Sequence, residues 1–136
     1  MRIRIALVSA VTLALSGCST PSPSPGSDYC VPRVSVTPAE VRPGDTITVE
    51  VESGCDAPTP PGGWVMTAAP VGELDRAVRT TVEEDLGDGL TVSIELPDAF
   101  PLGEAWAGIL EWDYSGCPDG ASCAGPTGSF QVVRAP

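Results

Sequence analysis

Leu90-Thr91-Val92-Ser93-Ile94-Glu95-Leu96 decides the fold. Aliphatic residues alternate with Thr91, Ser93 and Glu95, the period of two that gives a strand one apolar face and one polar face. The same alternation recurs on either side. Val34 and Val36 alternate with Ser35 and Thr37, and Ile47, Val49 and Val51 alternate with Thr46, Thr48 and Glu50. Val78, Thr80 and Val82 form a weaker strand, Trp64 opens another, and residues 103–114 and 128–133 read as a hairpin. No segment sustains a helical period. Seven short strands separated by Pro and Gly turns predict an all-β, two-sheet sandwich.

Ahead of this domain the composition changes twice. Met1-Arg2-Ile3-Arg4 gives a positive start, and residues 5–15 are apolar apart from Ser9 and Thr12. That run is too short for the ~20 residues that a membrane span needs, and it fits a signal peptide. Residues 19–28 are rich in Ser and Pro. They cannot bury apolar surface, and their prolines keep them extended at ~3.1 Å per residue, or about 30 Å in all. The expected organisation is a signal peptide over 1–17, a Ser/Pro tether over 18–29 and one domain over 30–134.

Leu15-Ser16-Gly17-Cys18 resembles the lipobox of bacterial lipoproteins. The resemblance implies that the chain is cut before Cys18 and that this thiol carries the lipid, with palmitate among its acyl chains. The protein is then held on the outer side of a cell membrane. Cysteine arithmetic agrees. Five cysteines are an odd number; with Cys18 lipidated, Cys30, Cys55, Cys117 and Cys123 remain for two disulfides in an oxidising compartment.

Charge and missing residue types remove whole classes of function. The mature chain keeps five arginines, no lysine and all 18 acidic residues, a net side-chain charge of −13. Such a surface repels nucleic acid and anionic headgroups. Without histidine or lysine, there is no Ser-His-Asp or Cys-His nucleophile and no Schiff-base chemistry. The cysteine spacings do not suit zinc. Glu84-x-Leu86-x-Asp88-Gly89 with Glu95 mimics a calcium loop, but Leu86 stands where an oxygen ligand is needed. Glu83, Glu84, Asp85 and Asp88 read as a solvated acidic loop. No cofactor or metal is expected.

Two further stretches carry a second resemblance. Val36-Thr37-Pro38-Ala39-Glu40-Val41-Arg42-Pro43-Gly44-Asp45-Thr46-Ile47-Thr48-Val49 is similar to the first two strands of bacterial immunoglobulin-like domains. Asp88-Gly89-Leu90-Thr91-Val92-Ser93-Ile94-Glu95-Leu96-Pro97, continuing to Pro101-Leu102-Gly103-Glu104, is similar to their E–F region. The chain departs from that pattern at Ala105-Trp106, where a tyrosine is usual. The resemblance implies a fold and no particular activity. It also implies that Cys30, residues 53–63, 83–88 and 115–127 gather at the tether end. All three cysteine pairings are then open. Adjacent first strands and shared parity with inward residues favour Cys30–Cys55, leaving Cys117–Cys123 to pinch the last hairpin loop.

Trp106, Leu110, Trp112 and Tyr114 share one face of strand 103–114, and Ala105, Ala107, Ile109 and Glu111 share the other. In the immunoglobulin-like register the small residues face the core, and the aromatic stripe is an exposed candidate binding face for protein or carbohydrate. In the shifted register the tryptophans are core, which spares Glu111 an inward position. If they are buried, the candidate surface moves to the loop end near Trp64 and Cys117. Trp64, opening its strand, is expected in the core. The functional expectation is a non-catalytic, membrane-anchored binding or structural module of the cell envelope, meeting an envelope protein or carbohydrate. The alternative is a loop-presenting inhibitor of secreted hydrolases.

Overall fold

The computed structural model describes residues 29–118 and 122–136; the expected signal peptide, Cys18 and residues 19–28 lie outside the described residues. Eight strands run in the order β1 (Val34–Thr37), β2 (Glu40–Val41), β3 (Thr46–Val51), β4 (Trp64–Pro70), β5 (Val78–Val82), β6 (Leu90–Glu95), β7 (Gly103–Ile109) and β8 (Thr127–Val132). They make a three-stranded sheet, β1-β3-β6, and a five-stranded sheet, β2-β8-β7-β4-β5. Two short 3₁₀ turns, Leu74–Arg76 and Leu86–Asp88, lie between strands. The domain is an all-β sandwich. Its strand order is that of an immunoglobulin-like fold, with β5 extending the sheet that holds the last hairpin.

The alternation seen in the sequence is the packing. Ile47, Val49 and Val51 of β3 stand beside Ile94, Val92 and Leu90 of β6, and all six are buried. Their polar neighbours Glu50, Thr91, Ser93 and Glu95 are exposed. Opposite lie Met66 and Ala68 of β4, Ala105, Ala107 and Ile109 of β7, and Phe130 and Val132 of β8. Phe100 and Phe130 stack with centroids 6.5 Å apart.

Two details differ from the sequence expectation, in strand count and in strand length. The count is eight because Glu40 and Val41 form a two-residue strand parallel to β8; two residues carry no period to read. The weaker strand, β5, is present and pairs with β4. The strand expected to run to residue 114 stops at Ile109.

Register then gathers one pole. Val51 pairs with both Val34 and Leu90, Trp64 with Val82, and Met66 with Ile109. Residues 29–33, 52–63, 83–89, 110–118 and 122–126 therefore share one end of the sandwich. Gly63 lets the chain enter β4 there. Its φ is +87°, and a side-chain carbon at that position would lie 2.5 Å from the Val82 carbonyl oxygen.

Candidate functional site

Two disulfides brace this pole. Cys30–Cys55 ties the segment before β1 to loop 52–63, with Cα atoms 5.6 Å apart. Cys117–Cys123 closes the long loop between β7 and β8, with Cα atoms 6.1 Å apart. These are the pairs that strand parity favoured. Between the two braced loops lies a cleft of about 490 Å³, walled by Tyr29, Pro58, Pro60, Trp64 and Trp112, with Asp56 and Asp113 as its charged groups.

The aromatic pair forms because β7 ends early. After Ile109 the chain leaves strand geometry, so residues 110–114 no longer alternate with 105–109. Trp112 turns toward the domain and stacks on Trp64, centroids 5.8 Å apart and planes 25° apart. Trp64 is 4 % exposed; Trp112 is half-buried and packed against the core. Tyr29 packs beside Tyr114 at 6.4 Å, and Tyr114 is itself 44 % exposed.

Trp106, Leu110, Trp112 and Tyr114 therefore do not form one face. Trp106 stays on the outer face of the five-stranded sheet, between Ala69 and Ser129, and is half-buried. Ala105, Ala107 and Ile109 face inward, as the immunoglobulin-like register implies. Glu111 is exposed, since the strand that would have carried it inward has ended. The stripe is corrected to a lone outer Trp106 and a separate loop-end cluster.

Hydrogen-bond accounting singles out the cluster. Among the described residues, the indole nitrogens of Trp64 and Trp112 and the hydroxyl of Tyr29 are buried with no hydrogen-bond partner. An indole N–H only donates, and a phenol donates readily. Such orphans are rare, and each costs of order 1–3 kcal/mol. The Thr67 hydroxyl is also unpartnered, but it lies in β4 away from the cleft.

Charge at the cleft is one-sided. The Asp113 carboxylate accepts a 2.9 Å hydrogen bond from the Ser115 backbone N–H. That bond, followed by the Ser115 hydroxyl, holds its carboxyl below the ordinary range against a smaller opposing effect of desolvation. Desolvation raises the Tyr29 phenol above its ordinary value, with smaller contributions from Tyr114 and Asp113. The Trp112 indole acts the other way, so it lies near the Tyr29 oxygen; the two nevertheless miss hydrogen-bond geometry.

The acidic loop after β5 is used locally. Asp85 accepts from the Gly87 backbone N–H at 2.8 Å, and Leu86 is fully buried. Among the described residues, no group of three or more metal-ligating side chains is placed to hold an ion.

Sequence reading pointed to this pole through Trp64 and Cys117 but missed Tyr29, Asp56 and Asp113. The available signal was adjacency: Tyr29 and Asp56 each follow or precede a cysteine of the same disulfide. Comparisons of the chain with models of protein families, with curated proteins and with solved structures find no match.

Proposed function

We propose that this protein is an envelope lipoprotein, held at the membrane through Cys18, whose domain is a non-catalytic binding module working through the loop-end cleft. The observation that carries the reading is the Trp64–Trp112 stack walling a 490 Å³ cleft beside three buried, unpartnered donors. Ligand sites combine an apolar wall with a few polar groups that fix orientation. The absence of histidine and lysine from the sequence supports a non-catalytic role. So does Asp113, whose stabilised carboxylate is a poor proton donor near neutral pH.

The cleft lies at the end of the domain where the chain enters at Tyr29, which suits a partner at the envelope. The test is a photo-crosslinking residue placed in cells at Asp56, and separately at Glu95 on the outer face of the three-stranded sheet. Capture of one discrete partner from Asp56 and none from Glu95 is expected. Equal capture from both, or capture from Glu95 alone, removes the cleft reading. One observation favours inhibition of a secreted hydrolase as the second reading: both loops flanking the cleft are disulfide-braced. Loss of hydrolase activity in the captured partner on adding this domain decides for it.

A further inference from the structure

We infer that the cleft takes an extended, proline-rich peptide segment bearing basic residues, an inference that rests on the cleft being the binding site. Three features of the wall select this class.

The first is donor and acceptor balance. The unpartnered groups are the N–H of Trp64, the N–H of Trp112 and the hydroxyl of Tyr29. A matching ligand brings acceptors without bringing donors that need partners. Proline residues lack the backbone N–H, and a polyproline II segment makes no internal hydrogen bonds, so it presents free carbonyl oxygens. Tyr29 and Trp112 are each half-buried, so their donors belong to rings that border the cleft, whereas the Trp64 N–H lies deeper, on a residue 4 % exposed.

The second is the apolar wall. Pyrrolidine rings pack well between aromatic side chains, the chemistry by which aromatic-lined grooves take polyproline II segments. Trp112 and Tyr29, both half-buried, supply the accessible rings of such a groove, with Pro58 and Pro60 at its rim and Trp64, 4 % exposed, backing Trp112.

The third is charge. Asp56 and Asp113 are the charged residues of the cleft, and both are acidic, within a mature chain of net side-chain charge −13. Asp113 sits beside the aromatic pair, where a guanidinium can meet both a carboxylate and a ring face.

The experiment uses the full mature chain in detergent, read by tryptophan emission and calorimetry. Its probes are a short proline-rich peptide with two arginines, the same peptide with glutamates in their place, and a chitin oligosaccharide. Saturable binding of the arginine peptide is expected, weakened by added salt. Asp56→Asn with Asp113→Asn should weaken it about fivefold, because both carboxylates are exposed and exposed charge pairs each carry a modest effect. Trp112→Phe, which keeps a ring and deletes the N–H, should weaken it severalfold, with circular dichroism confirming the fold. Equal binding of the glutamate peptide, or binding of the oligosaccharide alone, overturns the inference. If no probe binds while the Asp56 crosslink still captures a partner, the inference falls and the cleft remains the binding site. If the crosslink fails too, both fall.

Discussion

Trp112 stacks on Trp64 with ring centroids 5.8 Å apart, although the strand leading to it stops at Ile109. The contact ties the start of the loop after β7 to the first residue of β4. An aromatic pair adds ~0.5–1.5 kcal/mol beyond the area it buries. The outer-face Trp106 has no such partner among the described ring contacts.

The two half-buried tryptophans should therefore respond differently to truncation. Trp112→Ala is expected to cost about 3 kcal/mol in urea denaturation, through lost packing and lost stacking. Trp106→Ala is expected to cost about 1 kcal/mol, the usual size for a partly exposed position. Equal losses, or a larger loss at Trp106, would contradict the placement of Trp112.

Gly62 and Gly63 make an internal control for entry into β4. Both have left-handed backbone, φ +88° and +87°, so alanine at either carries the ~1–2 kcal/mol left-handed penalty. Gly62 has nothing within 4 Å of an added carbon, while Gly63 would meet the Val82 backbone at 2.5 Å. Gly62→Ala should cost about 1 kcal/mol and Gly63→Ala about 3 kcal/mol or more, since backbone at an edge pairing cannot move freely. Thermal denaturation of the two variants side by side checks the order.

The disulfides should contribute unequally. Cys30–Cys55 closes a separation of 25 residues and Cys117–Cys123 one of 6. Loop-closure entropy puts these near 3.5 and 2.4 kcal/mol respectively. Paired serine variants measured by guanidinium denaturation should follow that order. Loss of Cys30–Cys55 should also relax the Trp64–Trp112 near-ultraviolet signal, because it frees Tyr29 and loop 52–63 together. An unchanged near-ultraviolet spectrum would detach the disulfide from the cleft.

The sandwich was legible because β3 and β6 alternate without interruption, and burial of one face enforces that period. For Ala105, Ala107 and Ile109 the alternation left two registers open, and the structure takes the one that buries them. The site was less legible, for a physical reason. Trp112, Tyr29, Asp56 and Asp113 lie on loops, where no period links a residue's position to its direction. Extending the β7 alternation past Ile109 grouped Trp106 with Trp112, which the structure separates. Trp64, Cys117 and the parity of Cys30 and Cys55 pointed to the loop end without giving the direction of any loop side chain.

Anchoring has a direct test. Cys18→Ala is expected to release the protein from the membrane fraction or to leave its precursor uncleaved, because buried acyl chains supply ~0.8 kcal/mol per CH₂ of membrane affinity. Correct processing with wild-type partition into detergent would remove the lipobox assignment.

Asp113 should keep its charge to lower pH than an ordinary aspartate. Asp113 titrates below the ordinary aspartate value because the Ser115 backbone N–H and then its hydroxyl donate to the ionised form. A depressed folded-state value means that the stabilisation is fully present above the unfolded value, near 3.8, and is lost as pH falls through the folded value. Carbon-detected NMR titration should place Asp113 below the ordinary aspartate value. Ser115→Ala removes only the hydroxyl and should move it partway back. Ser115→Pro also removes the N–H and should return it to the ordinary range. As pH falls, the Asp113 contribution to binding of the arginine peptide should be lost at lower pH in the wild-type protein than in Ser115→Pro. An Asp113 that titrates at the ordinary aspartate value in the wild-type protein would separate the Ser115 contact from the charge of the cleft.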